Sequence, residues 1–254
     1  MGLPAPPIPL GTHASSSRRR GTFDHMTDRP VLLEGIVGST AYGMAHADSD
    51  TDYLGVWRAT TRQMTGTRPP VGKSATVVKH EPHDRQLHEV GKFFALAAKA
   101  NPTILELLWL PDDCYVTVTD AGRRILDGRD VFLSNLVRST YIGYARSQIE
   151  RAKRREDGSF ASDLRKRTEK HGRHVARLLL SGHHAVEHGA VLVRLDPMQV
   201  AWCRQMGEMA ADSMEDFEQE LLPTIEAIDN TDSVLPDKVD YDAVDELLWS
   251  VRGV

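Results

Sequence analysis

The chain has 254 residues, of which 41% are hydrophobic, and its formal net charge is −5 at pH 7. This length and composition predict a globular protein with one large or two modest domains, and the negative charge argues against a protein that binds polyanions over its whole surface. No apolar run approaches the roughly twenty residues that span a bilayer, and two cysteines are too few for a disulfide framework, so we expect a cytoplasmic protein with no membrane contact.

The first part of the chain is predicted to hold a tail and then short strands. Residues 1–28 are rich in Pro, Gly and Ser, which is typical of a disordered tail. An apolar run that ends at Val37 and a β-prone run at 53–57 predict two strands on either side of the sequence GSTAYGMAHADSDT. A third strand is expected at 75–87, bent or bulged at Pro82.

From about residue 88 onward the pattern becomes helical. Val90, Phe94 and Ala97 recur at helical spacing, and Asn101 followed by Pro102 is typical of a helix start. Further helices are predicted at about 133–153, 163–181, 197–210, 213–228 and 239–251. The predicted fold class is therefore α+β, with a tail over 1–28, a strand-rich domain over 29–130 and a helical domain over 131–254.

The sequence DSDTD, which begins at Asp48, contains three aspartates. A calcium-binding loop counted from Asp48 would need Gly at its sixth position and Glu at its twelfth, and these positions hold Tyr53 and Ala59. Asp50 and Asp52 lie two residues apart, so on a strand both carboxylates face the same side. Two neighbouring carboxylates repel each other unless a cation lies between them, and such oxygen ligands suit Mg²⁺ or Mn²⁺.

Gly38 and Ser39 provide groups that could bind phosphate. Gly38 lets the backbone approach a ligand closely, and the Ser39 hydroxyl with the following amides can donate hydrogen bonds to phosphate oxygens. Either motif alone is a weak signal. The order of a strand, then GS, then D-x-D on a second strand is more specific and predicts a nucleoside-triphosphate site.

The runs G-S-x-A-Y-G and S-D-x-D-Y-x-G-V resemble the signature of the DNA polymerase beta-like nucleotidyltransferase superfamily. Within it, the chain is most similar to the RNA ligase-associated or RNA-repair-pathway polymerases. The likeness continues in KFFALAAKANPTILELLW at 92–109 and KHGRHVARLLLSGHHAVEHGAVLV at 170–193. It covers roughly residues 30–210, with the motifs in the order of the family.

The resemblance implies a fold and an activity. The expected fold is a polymerase beta palm-like mixed sheet with helices over 29–130, followed by the helical domain. The expected enzyme transfers a nucleoside monophosphate from a nucleoside triphosphate, with ATP as the expected substrate, to an acceptor hydroxyl and releases pyrophosphate. Two metal ions, Mg²⁺ or Mn²⁺, would assist the transfer.

The resemblance also implies roles for individual residues. The GS pair would contact the nucleotide phosphates, and Asp50 and Asp52 would bind the metal ions. A third carboxylate beside the attacking hydroxyl is assigned to Asp84, with Glu81 as the alternative. Removal of either Asp50 or Asp52 is expected to abolish activity and to leave the fold largely intact.

A second group of candidate residues lies on a predicted helix. Lys170, His174 and Arg177 are spaced at i, i+4 and i+7, so they share one helix face. The resemblance implies that this cationic face lies toward the triphosphate or the acceptor. Residues 146–177 contain eleven Lys or Arg against five Asp or Glu, and an RNA backbone could lie along this segment. Solvated helix faces are the alternative for both features.

Histidine and aromatic residues give weaker signals. His80 and His83, and likewise the pair at 184 and 188, have spacings compatible with metal ligation, but no H-E-x-x-H pattern accompanies them. Tyr53 or Trp57 could touch a base near the metal.

Three functions stay open at this point. The leading one is transfer of a nucleotide to an RNA 3′ end. The second keeps the enzyme and replaces RNA by a protein or a small molecule. The third is a non-catalytic nucleotide-binding module or an antitoxin-type partner, against which the intact GS and D-x-D motifs argue.

Overall fold

The computed structural model describes residues 29–47, 49–80, 82–153 and 161–253. Three sequence-based expectations fall outside these residues: the tail at 1–28, the position of Asp48 and the alternative third carboxylate Glu81. Within the described residues, no helix is both long and apolar enough to cross a lipid bilayer.

A mixed sheet is built by five strands of the described chain. The strands follow one another in the order β3-β4-β2-β1-β5, and every neighbouring pair is antiparallel except β2 and β4, which are parallel. Their bounds are β1 (Val31–Val37), β2 (Asp52–Trp57), β3 (Thr76–Lys79), β4 (Arg85–Glu89) and β5 (Tyr115–Val118).

The expectation of a single strand at 75–87 is wrong. Two antiparallel strands occupy this segment, with Thr76 opposite His88 and Lys79 opposite Arg85. The chain therefore reverses around Pro82, which has no N–H to give to a ladder. This reversal places Asp84 directly before β4.

Ten α-helices occur in the described residues. Five belong to the N-terminal half: α1 (Ser39–Tyr42), α2 (Thr61–Thr65), α3 (Val90–Ala97), α4 (Pro102–Leu108) and α5 (Asp120–Asp127). Five belong to the C-terminal half: α6 (Leu136–Lys153), α7 (Ala161–His188), α8 (Pro197–Asp212), α9 (Met214–Asn230) and α10 (Tyr241–Arg252). The predicted start of α4 is confirmed, because the Asn101 side chain accepts a hydrogen bond from the Ile104 amide and Pro102 occupies the first turn.

The two faces of the sheet have different surroundings. Leu33, Leu54 and Val56 belong to the main hydrophobic core, which also contains residues of every helix from α3 to α10. On the other face, Trp57 and Leu87 belong to a separate, smaller cluster. The α+β class is confirmed, and the C-terminal helices share one core with the helix-covered face of the sheet.

Helices α7 and α8 pack unusually closely. A Cβ atom on Gly172 of α7 would lie 2.7 Å from the Cβ atom of Ala210 in α8 and 2.9 Å from the Met206 carbonyl oxygen. The two backbones could not approach so closely with a larger residue at this position.

Candidate active site

Gly38, Asp52 and Asp84 lie at one edge of the sheet. Strand β1 ends at Val37, which pairs with Asp52, the first residue of β2. The parallel neighbour β4 begins at the same level, because the Tyr53 amide donates a hydrogen bond of 2.8 Å to the Asp84 carbonyl oxygen. The turn after β1 therefore meets the starts of β2 and β4.

The GS turn lies directly against a carboxylate. Gly38 has a φ angle of 73°, in the left-handed region that favours glycine. A Cβ atom there would lie 2.9 Å from Asp52 Oδ2. Both observations require glycine at this position, and they place the backbone just before Ser39 and α1 beside the Asp52 side chain.

The carboxylates at this edge repel one another. The pKa of Asp52 is raised, first by burial and then by the neighbouring carboxylates of Asp84 and Asp50, whereas the Lys170 ammonium lowers it. All four side chains are thus close enough to interact. A divalent cation among these oxygen atoms would offset the repulsion, and carboxylate oxygens are suitable ligands for Mg²⁺ or Mn²⁺.

Two details differ from a complete metal site. Asp50 precedes β2 instead of lying within it, so strand alternation does not fix its direction. Asp84 accepts a hydrogen bond of 2.8 Å from His80 Nδ1. In the part of the chain that the structure describes, no group of three His, Cys, Asp or Glu side chains is arranged to hold a metal ion.

The three candidates on α7 lie at different depths. Lys170 is exposed and influences Asp52. The pKa of His174 is lowered to about 3, mainly by burial and then by the Arg177 charge, so this ring is neutral at neutral pH. Arg177 is only 1% exposed. The expected cationic face is thus not present as such, and of the three residues Lys170 alone offers a charge at the surface.

Arg177 instead forms the centre of a buried network. Its Nη2 atom lies 2.7 Å from Glu106 Oε1, and its guanidinium lies over the Tyr42 ring, 3.9 Å from the centroid. The Tyr42 hydroxyl donates a hydrogen bond of 2.6 Å to Glu106 Oε2. Since Tyr42 belongs to α1, the network attaches the GS turn to α4 and α7.

Sequence reasoning missed the role of Glu106. The motif NPTILELLW, which contains the predicted helix start, places one carboxylate within an apolar helix. Such a residue is almost never fully buried without a partner. That single charge is the available signal, but no local pattern identifies Arg177 as its partner.

A protein-family model matches most of the chain. The model of the RNA repair pathway DNA polymerase beta family matches residues 16–249. The chain belongs to this family. Family membership indicates a polymerase beta-like nucleotidyltransferase, a class that generally uses a nucleoside triphosphate and divalent metal ions.

Among solved structures, a nucleotidyltransferase-like protein from Exiguobacterium sibiricum is similar to this member of the RNA repair pathway DNA polymerase beta family. The two chains share 13% sequence identity with a TM-score of 0.27, and the match covers 88% of this chain and 71% of the other. No curated protein matches the chain significantly.

The basic segment of this family member is partly neutralised. Carboxylates pair with four of its cations: Lys153, Arg165, Arg173 and Arg177. Another five are exposed and make no ion pair within the described residues: Arg146, Arg151, Lys166, Arg167 and Lys170. The two remaining residues, Arg154 and Arg155, lie outside the described part.

The aromatic candidates separate along β2. Tyr53 directly follows Asp52, whereas Trp57 ends the strand at the opposite edge and is 1% exposed. Trp57 therefore lies away from the carboxylates. His83 lies near Tyr53, with ring centroids 5.7 Å apart. His184, in the helical half, donates a hydrogen bond of 2.8 Å to the Ala190 carbonyl oxygen.

Proposed function

We propose that the chain transfers a nucleoside monophosphate from a nucleoside triphosphate, with ATP as the expected substrate, to the hydroxyl of an RNA 3′ end. Pyrophosphate is the leaving group. The observation that supports this proposal is the meeting of the GS turn, Asp52, Asp84 and Lys170 at one sheet edge. The name of the family supports RNA as the acceptor.

The triphosphate would lie between the GS turn and α7. Gly38 leaves the backbone accessible, and the Ser39 hydroxyl can donate to a phosphate oxygen. Lys170 supplies a cation of the kind that commonly binds phosphate as a point charge. His174 is neutral and Arg177 is buried, so these two would support the helix and leave the phosphate contact to Lys170.

The metal ions would be held by Asp50, Asp52 and Asp84. When bound, a pair of such ions activates the attacking hydroxyl and stabilises the leaving pyrophosphate. Asp84 accepts the hydrogen bond from His80 through Oδ1, which leaves Oδ2 to bind a metal ion. The chain's own contribution is to hold these carboxylates and the GS turn in a fixed relation, and positioning of this kind accounts for much of the catalysis in phosphoryl transfer.

The RNA would approach along α6 and α7. Several cations on these helices are exposed and make no ion pair within the described residues, and binding through phosphates weakens as salt increases. We keep residues 29–130 as the catalytic unit and 131–254 as the helical unit, which supplies Lys170 and the basic surface.

The test is incubation of the full chain with each α-labelled nucleoside triphosphate, Mg²⁺ or Mn²⁺, and a panel of RNA, tRNA and protein acceptors. Label on RNA is expected for the wild type, and Asp52→Asn is expected to abolish it with little change in the melting temperature. The matched control Asp245→Asn removes an exposed carboxylate on α10 and should keep full activity.

Two results would contradict the proposal. Label on protein alone would replace RNA by a protein acceptor. Absence of transfer by folded wild type that still binds ATP would indicate a non-catalytic nucleotide-binding module.

A further inference from the structure

A cavity of about 330 Å³ opens on the face of the sheet opposite to Asp52. Tyr53 follows Asp52 in β2, so the two side chains point to opposite faces. Tyr53 pairs with Arg85 of β4, and Glu34 of β1 bonds Arg85 from the same side. These three residues line the cavity, which lies on the face that the main core does not cover.

The cavity adjoins the carboxylate edge. His83 and Arg85, which line it, flank Asp84 in the sequence. A hydrogen bond from the Tyr53 amide to the Asp84 carbonyl oxygen connects Tyr53, which lines the cavity, with the segment that precedes β4. A ligand in the cavity could therefore reach over the strand ends toward the candidate metal ligands.

The lining suits a flat ring attached to an anion. The Tyr53 and His83 rings lie 5.7 Å apart and are tilted by 47°, and Val116, which is 53% exposed, adds an apolar surface. Aromatic faces of this kind stack on nucleobases of any sequence. Lys79 is exposed at the same cavity and can bind a phosphate.

The buried carboxylate of Glu34 holds Arg85, the second cation that lines the cavity. Glu34 is 3% exposed, and its two oxygens accept from Nε and Nη2 of Arg85, the latter at 2.6 Å. This bidentate pair holds the guanidinium plane in one orientation. Since Glu34 already balances Arg85, Lys79 gives the described lining residues a net positive charge.

We propose that this cavity binds the 3′-terminal nucleoside of the acceptor RNA, an inference that rests on the proposed function. The incoming triphosphate is assigned to the GS turn and Lys170, on the face where α7 approaches Asp52. The cavity lies on the other face, where the lining residues His83 and Arg85 flank Asp84, the residue whose carboxylate is assigned to the attacking hydroxyl. Its volume is at the lower end of the range for small-ligand sites, which fits one nucleoside.

The test compares two short RNAs that carry a fluorophore at the 5′ end. They are identical except that the second lacks the base of its 3′-terminal residue. Their affinities for the full chain are measured by fluorescence anisotropy without nucleoside triphosphate, for the wild type and for Tyr53→Leu, Tyr53→Phe and Lys79→Gln. The matched controls are Tyr241→Leu and Lys99→Gln, which change exposed residues outside the cavity.

The expected result is a loss of affinity that depends on the terminal base. Tyr53→Leu should weaken binding of the intact RNA about tenfold and leave binding of the RNA without the terminal base unchanged. Tyr53→Phe should bind as the wild type does, because it keeps the ring. In the transfer assay, the KM for RNA should rise in Tyr53→Leu while the KM for ATP stays within twofold of the wild-type value (about the scatter of such assays).

The outcomes separate this inference from the proposed function. Equal weakening of both RNAs, no weakening, or a rise in the KM for ATP in place of the KM for RNA would overturn the inference even if transfer occurs. Binding that depends on the terminal base, without any transfer, would keep the cavity assignment and overturn the proposed reaction.

Discussion

Replacement of Glu106 by glutamine is expected to lower the free energy of unfolding by about 3 kcal/mol. Glu106 is 3% exposed and Arg177 is 1% exposed, so water cannot solvate the Arg177 cation once it has lost the carboxylate. The Arg177 Nε and Nη1 atoms already have no hydrogen-bond partner among the described residues. Breaking a buried pair costs about 3–5 kcal/mol, and we take the lower value because the amide oxygen can still accept a hydrogen bond.

A double replacement separates the charge from the packing. Glu106→Leu combined with Arg177→Met removes both charges and keeps much of the volume, and such replacements of a buried pair are often neutral or stabilising. We therefore expect this double variant to be more stable than Glu106→Gln. Its KM for ATP should nevertheless be raised, because Tyr42 loses the carboxylate that fixes α1 and the GS turn.

The assay is urea unfolding followed by circular dichroism, with the KM for ATP measured on the same preparations. Glu89→Gln is the matched control, since Glu89 is a buried carboxylate that binds Arg252 at 2.9 Å at the opposite end of β4. It should lose stability without any change in the KM for ATP. A loss below 1 kcal/mol in Glu106→Gln (smaller than about one ordinary hydrogen bond), or a double variant less stable than the single one, would refute the reasoning.

Three further predictions follow from single sites. Burial lowers the pKa of His88 to about 4 and that of His174 to about 3, so between pH 6.5 and 4 the unfolded chain binds more protons than the folded chain. The free energy of unfolding should therefore fall on acidification by up to about 1.4 kcal/mol per pH unit for each histidine. Urea unfolding across this pH range should show a smaller slope for His174→Gln than for the wild type. Gly38→Ala, at a φ of 73° and against a carboxylate oxygen, should raise the KM for ATP and lower stability by about 1–3 kcal/mol, and an unchanged KM would count against a phosphate role for the turn. Gly172→Ala, whose new methyl group would lie 2.7 Å from Ala210, should lower the melting temperature, as overpacking costs about 1–3 kcal/mol; Gly143→Ala, where nothing lies within 4 Å, is the matched control.

Local patterns in the sequence were sufficient for much of the fold. The strands Val31–Val37 and Asp52–Trp57 follow from apolar and β-prone runs, and the five C-terminal helices follow from helical periodicity. The hairpin of β3 and β4 does not, because a proline between two β-prone runs is compatible with a bend or with a reversal. The short strand β5 was missed altogether, since four residues are too few to show an alternation.

The candidate site, like the fold, can be predicted only in part from local sequence patterns. The motif order correctly predicts that Gly38 and Asp52 lie close together in space. Gly38 directly follows β1, Asp52 begins β2, and these two strands pair with each other. Glu106 and Tyr42 could not be found in this manner, since they contact each other and Arg177 across long separations in the sequence. Long-range partners of buried charges leave no local pattern, and only the fold reveals them.

Helix α7 shows why a shared helix face is not a shared role. Lys170 and Arg177 are two turns apart, about 10 Å along the axis, and in that distance the surroundings change from solvent beside Asp52 to the hydrophobic core. Periodicity gives the direction of a side chain but not its depth. A cation in the core must be satisfied by the protein itself, so Arg177 binds Glu106 and orients α1, whereas Lys170 stays available to a ligand. The helical half thereby contributes one charge to the proposed phosphate site and, two turns further along, the contact that holds the GS turn in place.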